Sequence, residues 1–320
     1  MSDCVKFGFI TDTHYDWKYE CRRDDALSSL ISKTRQCYEW FKANGCEFVV
    51  HGGDMFDRHR IYNFDLIRRV RDVFRESGLK TYYIVGQHDL SGYNMETLPV
   101  SNLGFLDAIL DGGLEVIGDT KDIGGYRFVA SHVDMDPAET MKSIGECELP
   151  VVMVCHALLT DQREAFGTIS ITHFKNRNVK LVLSGDLHDG VPFQHCNGIQ
   201  FYNPGALARD ARGMRMPKVG MLQYDDVMGE FTLEEFSPEC AACEDIFFWD
   251  DKKDTLPPPV DPEKPVIATK EESAGFLEAF RQFHTEAKDI YELLEKIGRA
   301  RGVSEDILDL IKKHKDLKTN

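Results

Sequence analysis

The sequence lacks a long apolar segment and a surplus of positive charge. No stretch approaches the about 18 uncharged apolar residues that predict a transmembrane helix, so we expect no membrane span. The residues from Met1 to Val5 do not resemble a secretory signal, and we expect a cytoplasmic protein. With 38 Lys and Arg against 54 Asp and Glu, the formal net charge is −16, which argues against broad, nonspecific attraction to nucleic acid.

The number and spacing of the cysteines do not indicate a disulfide framework. The nine cysteines are an odd number scattered over 320 residues, which favours reduced thiols. Cys240 and Cys243 form a close pair without the second pair that a structural zinc site needs, so we interpret them as incidental. The content of 42% hydrophobic and 29% charged residues is typical of an ordinary globular protein.

What the sequence does contain is a series of apolar, β-rich segments that each end on polar side chains. The side chains that follow these segments are Asp12 and His14, Asp54, Gln87 and His88, His156, Asp186 and His188, and Asn203. In open α/β sheets, ligands bind outside the strand ends, where loops carry the chemistry. One such residue alone is more typical of a solvated loop, but the ordered series predicts that these side chains converge in one metal-binding site.

Amphipathic helical patterns alternate with these segments in the first part of the chain. They cover residues 25–43, 64–76 and 103–110, and they predict parallel strands joined by right-handed crossovers. From about residue 114 the strand-like segments become short and follow one another closely, which predicts a second sheet packed against the first. We therefore expect an α/β domain over residues 1–236.

Beyond this domain the pattern changes twice. Residues 237–269 are charged and rich in proline, as in a linker or a reduced capping segment. Residues 270–320 are predicted to form a helical region, in which apolar side chains from Phe276 to Ile297 repeat at the spacing of a coiled-coil seam. Two interpretations stay open for this seam: it packs back on its own domain, or it docks on a partner.

The predicted site contains enough ligands for two divalent metal ions. Two such ions about 3.5–4 Å apart clamp a phosphate and activate water for in-line attack. Asp54 would bridge the two ions. The other ligands would be Asp12, His14 and His188 for one ion, and Gln87, His156 and Asp186 for the other. This mixture of carboxylate, amide and imidazole favours manganese, with iron, zinc or magnesium as alternatives.

Other polar residues near the motifs are candidates for catalysis and substrate binding. As a general acid, His88 would protonate the leaving oxygen, and Asp89 beside it would orient the imidazole. His51 is interpreted either as a support of the ligands or as an ordinary polar residue. The candidate substrate contacts are Arg58, Asn203 and Arg209. The basic segment around Arg209 is equally typical of a solvated loop.

Taken together, these motifs resemble the calcineurin-like metallophosphoesterase superfamily over about residues 5–235. Within it, the segment from Gly53 to Arg58 is similar to the Gly-Asp-x-Phe-Asp form of the SbcD-type double-strand-break repair nucleases. The resemblance implies an α/β fold of two mixed β-sheets face to face, flanked by helices (α/β/β/α), with a short C-terminal helical appendage. It also implies that both metals share Asp54.

Two residues depart from the pattern of that family. Gln87 stands where the family usually has Asn, and Asp186 stands where it usually has His. Both belong to the second metal, so we expect that site to be harder, more negative and more selective for Mn²⁺ or Mg²⁺. A second site that no longer binds metal is the competing interpretation.

For function, the resemblance implies a metal-dependent DNA phosphodiesterase of SbcD type, an exonuclease with additional endonuclease action. The implied partners are DNA, a second copy of the chain, and an SbcC-like ATPase bound through the C-terminal helices. The implied location is the nucleoid, or the host cytoplasm for a phage-encoded protein. A metallophosphatase or small-molecule phosphodiesterase of the same superfamily is the alternative, which the net acidity favours. A noncatalytic assembly subunit is a further alternative, against which His88 argues.

Overall fold

The computed structural model describes residues 5–17, 19, 22, 24–161, 167–209 and 215–247. The predicted helical region 270–320, with its seam from Phe276 to Ile297, and the proline-rich segment from residue 248 onward lie outside the described residues. Both stay predictions. None of the described helices combines the length and the apolar character that a bilayer crossing requires.

Helices alternate with strands in the first half of the domain, and strands dominate the second half. The strands are β1 Lys6–Ile10, β2 Cys46–His51, β3 Lys80–Tyr83, β4 Leu114–Val116, β5 Thr120–Ile123, β6 Tyr126–Ser131, β7 Val151–His156, β8 Leu159–Thr160, β9 Ile169–Ser170, β10 Val179–Gly185, β11 Val191–Cys196, β12 Ile199–Asn203, β13 Val219–Asp225 and β14 Glu230–Phe236. The α-helices are α1 Ala26–Ala43, α2 Phe64–Ser77, α3 Asn102–Leu110, α4 Pro137–Ser143 and α5 Cys243–Ile246. Short 3-10 helices cover Met95–Val100 and Ile171–His173.

Helices α1 and α2 begin where their sequences predict. The side chain of Asp25 caps α1 by accepting a hydrogen bond from the backbone N–H of Ser28 (2.9 Å). Asn63 caps α2 in the same way, through the N–H of Leu66 (3.1 Å). Gly78 ends α2 in the left-handed conformation (φ 69°), which glycine adopts without a steric penalty. Both helix predictions are confirmed.

Among the described residues, the strands form two six-stranded mixed sheets and a small β8-β9 pair. The first sheet has the order β14-β13-β1-β2-β3-β4, in which β1 to β4 run parallel. The second has the order β11-β12-β10-β7-β6-β5, in which β12, β10, β7 and β6 run parallel. The parallel strands of each sheet therefore direct their carboxyl ends to one edge of that sheet.

An aromatic core joins the two sheets. Phe7 on β1 stacks on Phe48 of β2, with ring centroids 5.4 Å apart. It meets Tyr126 and Phe128 of the second sheet edge-on, at 5.3 and 5.4 Å. Helices α1, α2 and α3 cover the outer face of the first sheet, and α4 and Phe174 cover the outer face of the second. This order of layers confirms the predicted α/β/β/α architecture.

Several elements are not evident in the sequence pattern, among them β5, β11 and α4. The strands β5 and β11 form the outer edges of the second sheet, and they expose polar residues such as Asp122 and His195. Edge strands with polar surfaces lack the apolar character of buried strands. Helix α4 has seven residues, starting at Pro137, and is too short to show a helical period.

The packed part of the chain continues beyond β14. The backbone N–H of Glu239 donates to the side chain of Gln36 (2.8 Å). The carbonyl of Ala241 accepts a hydrogen bond from Arg209 (2.7 Å), and Phe247 is fully buried. Residues 237–247 therefore lie against the globular domain, and the rest of the predicted linker or capping segment, residues 248–269, lies outside the described residues.

Candidate metal centre

The loops that follow β1 and β2 are joined by backbone hydrogen bonds. The N–H of Asp12 donates to the carbonyl of Gly53 (3.1 Å), and the N–H of His14 donates to the carbonyl of Asp54 (3.0 Å). Because β1 and β2 are parallel neighbours, both loops leave the sheet at the same edge. Three of the predicted metal ligands are thereby held beside one another.

Two contacts bring the second sheet to the same place. His156, at the end of β7, has its Nδ1 atom 2.7 Å from the carbonyl oxygen of Gly52. The backbone N–H of Asp186, just after β10, donates to both carboxylate oxygens of Asp12 (3.1 Å each). The predicted ligands therefore meet where the ends of the two sheets approach each other.

Asp12, His14 and His188 form one half of the cluster, which we call the His188 half. The Nε2 atoms of His14 and His188 lie 3.1 Å apart, and Asp12 Oδ1 lies 3.7 Å from each. Asp12 and His14 are buried, whereas the side chain of His188 is 32% exposed. Two imidazole nitrogens that face one carboxylate oxygen offer a divalent metal three ligands from one side.

Asp54 lies at the centre of the cluster. Its Oδ1 atom accepts a hydrogen bond from the backbone N–H of His88 (2.8 Å). Its Oδ2 atom lies 3.3 Å from His156 Nε2, 3.8 Å from His14 Nε2 and 3.9 Å from His88 Nε2. A carboxylate oxygen that faces imidazoles from both sheets is suited to a ligand shared between two metals.

His156, Gln87 and Asp186 form the other half of the cluster, which we call the His156 half. Its two unusual residues bind each other, since Gln87 Nε2 donates to Asp186 Oδ1 (2.6 Å). The closest grouping of His and acidic ligand atoms around His156 contains Asp12 and Asp54 but not Asp186, within the described residues. The bond between Gln87 and Asp186 therefore links the loop after β3 to the loop after β10 at the edge of this half.

Backbone strain is concentrated in these loops. Seven non-glycine residues in the described ranges have positive φ, and four of them are predicted ligands: Asp12 (50°), His14 (42°), Asp54 (52°) and Asp186 (73°). This conformation is unfavourable for residues with a Cβ atom and is typical of functional sites. The packing is also tight, because a Cβ atom at Gly86 would lie 2.1 Å from Asp54 Oδ1. Only glycine allows this approach.

The buried charges of the cluster stabilise each other. Burial alone would lower the pKa of His156, but the carboxylate of Asp54 raises it to about 10. Burial alone would raise the pKa of Asp54, but the charge of His156 holds it below its usual range. The same opposition, between burial and the interaction of Asp12 with His14, lowers the pKa of Asp12 and raises that of His14. The carboxylates are therefore anionic ligands at neutral pH.

The residues fit a dinuclear metal centre. His14 Nδ1, Asp54 Oδ2 and His156 Nε2 are buried and lack a hydrogen-bond partner among the residues that the structure describes. Unpaired buried polar atoms are costly, and a coordinated cation would satisfy the oxygen of Asp54 and the nitrogen of His156. The ligands would be the His188 half with Asp54 for one metal, and Asp54 with the His156 half for the other.

His88 lies at the mouth of the cluster. Its side chain is 42% exposed, and its Nδ1 atom lies 2.6 Å from the backbone carbonyl oxygen of Asp57. Because a carbonyl oxygen only accepts hydrogen bonds, Nδ1 carries a proton and donates it to this bond. The Nε2 atom of His88 is therefore the nitrogen that faces Asp54 and the open side of the site.

Asp89 has a different role from the predicted one. It is fully buried, and its carboxylate accepts backbone hydrogen bonds from Met55 (3.0 Å), Phe56 (3.2 Å) and Gly86 (3.1 Å). Burial and the charge of Asp54 raise the pKa of Asp89 to about 7. The prediction that Asp89 orients His88 is wrong, because its side chain turns toward the loops after β2 and β3.

Two of the predicted substrate contacts are buried. Asn203 donates to the carbonyl of Leu187 (3.1 Å) and accepts from the N–H of Gly205 (2.8 Å), so it fixes the loop between Asp186 and His188. Arg209 is 1% exposed and donates to the carbonyl of Ala241. Neither side chain faces solvent, and the prediction that they contact substrate is wrong.

Arg58 differs from these two residues. Its side chain is 56% exposed, and its Nη2 atom lies 2.5 Å from Oδ2 of Asp16, which is buried. It also borders a cleft that contains His88. Arg58 therefore stays a candidate for binding the substrate.

Two supporting residues are difficult to assign from sequence. The Oδ1 atom of Asp57 lies 3.6 Å from His14 Nδ1, on the side of the ring away from the cluster. His51 accepts a hydrogen bond from Gly53 N–H (3.2 Å), and its Nε2 atom lies 3.1 Å from Thr13 Oγ1. These contacts orient the loops after β1 and β2, which favours the supporting role for His51. For Asp57, the Gly-Asp-x-Phe-Asp segment is the only sequence signal.

The two packed sheets and their buried cluster of carboxylates and imidazoles define a metallophosphoesterase. The chain belongs to the calcineurin-like phosphoesterase family, whose sequence model matches residues 5–190. Proteins of this family use a dinuclear metal centre, for which the cluster supplies the ligands. Among curated protein sequences, none matches this chain.

Several solved structures were found to be similar to this chain. One is a dimetal phosphatase from Danio rerio, with 13% identity, 72% of this chain and 98% of that chain covered, and a TM-score of 0.45. A purple acid phosphatase from yellow lupin has 13% identity, coverage of 78% and 53%, and a TM-score of 0.46. A 5'-nucleotidase precursor from Thermus thermophilus has 12% identity, coverage of 73% and 54%, and a TM-score of 0.44.

Proposed function

We propose that the chain is a metal-dependent nuclease of SbcD type, which hydrolyses DNA phosphodiester bonds as an exonuclease and also as an endonuclease. The observation that carries the proposal is the position of His88. A half-exposed imidazole lies at the open side of a buried ligand cluster, 3.9 Å from the central carboxylate oxygen of Asp54. The similarity of Gly53 to Arg58 to the nuclease branch supports DNA as the substrate.

The metals would be held as the ligand geometry suggests, with Asp54 between them. When bound, they would orient the phosphate, stabilise its developing charge and activate the attacking water. In its imidazolium form, His88 would give the proton on Nε2 to the leaving oxygen and keep the proton on Nδ1, which is bonded to the carbonyl of Asp57. Asp57 and His51 would keep the ligand loops in position. Arg58 would bind a phosphate of the strand.

Manganese is the metal that we propose for both positions. The ligand set mixes imidazole, carboxylate and amide, and it contains no cysteine. Asp186 adds a negative charge to the His156 half, which favours hard divalent ions such as Mn²⁺ and Mg²⁺. This donor set separates the site from thiolate-containing zinc sites.

For partners, we propose a complex with an SbcC-like ATPase through residues 270–320, and a homodimer of the chain. The support for the ATPase is the seam from Phe276 to Ile297, which has the spacing of a coiled-coil interface. A protein lacking residues 270–320 should then keep its metal centre and lose the ATPase in a pull-down experiment. Unchanged capture of the ATPase would contradict this part of the proposal.

A phosphatase or small-molecule phosphodiesterase is the second candidate. The net charge of −16 favours it, because such an enzyme needs no extended attraction to a polyanion. Its substrate would occupy the same metal centre and the same cleft beside His88. The two candidates therefore differ in substrate rather than in chemistry.

The deciding experiment incubates the purified protein and Mn²⁺ with end-labelled single- and double-stranded DNA, and with bis-p-nitrophenyl phosphate in parallel. Asp54→Ala serves as the control that removes the central ligand. DNA cleavage that is lost in the variant would support the nuclease and reveal its polarity. Hydrolysis of the small ester without any DNA cleavage would contradict it and favour the second candidate.

A further inference from the structure

A cleft at the mouth of the metal cluster is lined in part by His88. Its volume is about 260 Å³, and its lining includes Gln87, His88, Leu90, Arg58 and Tyr93. Pockets that enclose a drug-sized ligand have volumes of roughly 300–1,000 Å³. The cleft is therefore suited to a single ring system that is attached to a larger molecule outside it.

Tyr93 is presented to solvent by a fixed and strained loop. Its side chain is 61% exposed, and its backbone is left-handed (φ 59°), directly after Gly92 (φ 61°). Ser91 N–H donates to Thr97 Oγ1 (3.0 Å), and Asn94 N–H donates to the carbonyl of Ser91 (3.2 Å). An exposed aromatic ring adds little to the core, so a role in folding does not explain why the strain is retained.

The lining of the cleft also contains a guanidinium group that is held in place. Arg58 is held by the buried carboxylate of Asp16, with 2.5 Å between Nη2 and Oδ2, while more than half of its side chain stays exposed. Its Nε atom lies 4.0 Å from the carboxylate of Asp57, which also lines the cleft. Leu90, which is 3% exposed, adds an apolar group to the lining. An aromatic face, an apolar surface and a cation together match a nucleobase and its flanking phosphate.

The position of His88 determines which nucleotide would occupy the cleft. This residue lines the cleft, and in the proposed reaction it protonates the leaving oxygen. The leaving nucleotide must then lie on the side of His88. We infer that the cleft binds the base of the leaving nucleotide, stacked on Tyr93, with Arg58 on an adjacent phosphate. This inference rests on the proposed nuclease function and extends it to a specific binding subsite.

Stacking on an aromatic ring depends weakly on base identity, so the subsite would select for the presence of a base rather than for a sequence. We would compare single-stranded oligonucleotides that carry a thymine or a tetrahydrofuran abasic residue on either side of the cleaved bond. Product analysis identifies which side leaves. Removing the leaving base should lower kcat/KM about ten-fold in the unsubstituted protein.

The variant Tyr93→Ala should show the same loss on the base-containing substrate, and Tyr93→Phe should retain most of the activity. On the abasic substrate, Tyr93→Ala and the unsubstituted protein should become equal. Tyr62→Ala is the matched control, because Tyr62 is 93% exposed and lines a different groove. Equal losses on both substrates, or no loss on either, would overturn the subsite and leave the nuclease function intact.

A binding measurement separates stacking from catalysis. In an Asp54→Asn background, 2-aminopurine at the leaving position should lose fluorescence on binding, because stacking quenches it. Adding Tyr93→Ala should restore that fluorescence at saturating protein. Quenching that is unchanged by Tyr93→Ala would refute the inference. If the unsubstituted protein hydrolyses bis-p-nitrophenyl phosphate but none of the oligonucleotides, the nuclease function fails, and the inference fails with it.

Discussion

The two halves of the metal centre differ in how their ligands contact one another. In the His188 half, the two imidazole nitrogens lie 3.1 Å apart and face the same carboxylate oxygen. In the His156 half, two of the three members are joined by a hydrogen bond of 2.6 Å between an amide and a carboxylate. The first half is arranged for a metal as it stands. In the second half, the hydrogen bond between Gln87 and Asp186 must rearrange or be shared with the metal when a metal binds.

This difference predicts an order of metal binding. Ligands that already converge lose little conformational freedom on coordination, whereas a hydrogen bond between two ligands competes with the metal. We therefore expect the His188 half to bind its metal first and more tightly. The His156 half should be weaker and more selective, so its occupancy should respond most to changes in metal concentration.

The largest effect should come from Asp54, which both halves share. Asp54→Asn keeps the size of the side chain but removes the charge that faces three imidazoles. Phosphoesterase activity should fall by roughly a thousand-fold, because several kcal/mol of metal-dependent stabilisation are lost. Activity on bis-p-nitrophenyl phosphate and metal content by mass spectrometry would test this. Asp111→Asn is the matched control, at an exposed residue that also has positive φ (46°).

Asp186→Ala should affect only the His156 half, so it tests the difference between the two halves. The affinity for the second Mn²⁺ should decrease about 10–100-fold, while the first binding event stays unchanged, because the backbone N–H of residue 186 still supports Asp12. Calorimetric titration with Mn²⁺ resolves the two events. Asp186→His should shift the preference of the weaker site toward Zn²⁺. Unchanged stoichiometry and activity in Asp186→Ala would contradict the assignment of this residue.

A moderate effect is expected from pH. Without bound metal, His156 has its pKa raised to about 10, so it carries a proton throughout the neutral range. Metal binding must displace that proton. Affinity in the His156 half should therefore rise with pH by up to about tenfold per pH unit until the pKa is reached. Calorimetry in buffers of different ionisation enthalpy counts the released protons. No proton release at the weaker site would contradict the prediction.

The smallest effect concerns His132, which supports the strand leading to Gln87. Its Nδ1 atom accepts a hydrogen bond from the N–H of Val85 (3.1 Å), and burial lowers its pKa. Below its ordinary pKa of about 6.5, the unfolded chain binds a proton that the folded chain does not, so stability falls as pH falls. Relative to His132→Asn, the unsubstituted protein should lose more stability between pH 6.5 and 5.5, by at most about 1 kcal/mol.

Urea denaturation at the two pH values measures this difference. Asparagine offers an oxygen in place of Nδ1, so it preserves an acceptor for Val85 while removing the titration. Equal pH dependence of the two proteins would show that His132 is protonated without penalty in the fold.

The sequence was informative where one physical rule applied repeatedly. Polar residues just after apolar strands locate the cluster, because parallel strands place their carboxyl ends at one edge. The helices were equally accessible, since Asp25, Asn63 and Gly78 have the chemistry of helix ends. The interior of the domain could therefore be predicted in outline without a structure.

The direction of individual side chains was not accessible in the same way. Asp89 follows His88 in the chain, but its carboxylate turns away to bind three backbone N–H groups. Arg209 lies in a basic segment, but it is buried against the carbonyl of Ala241. Adjacent residues in a loop face different directions, so proximity in sequence does not predict contact. No sequence motif indicates Tyr93, whose side chain is exposed.

The proton on His88 is fixed by the main chain at residue 57, through a carbonyl that every amino acid possesses. Substitution at this position would remove the carboxylate beside His14, but the hydrogen bond from Nδ1 of His88 to the backbone would remain. Substitutions in the loop beside His88 therefore do not remove the hydrogen bond that orients this general acid. Laboratory evolution at residue 57 would therefore have to preserve the support of His14, but it would not have to rebuild the proton donor.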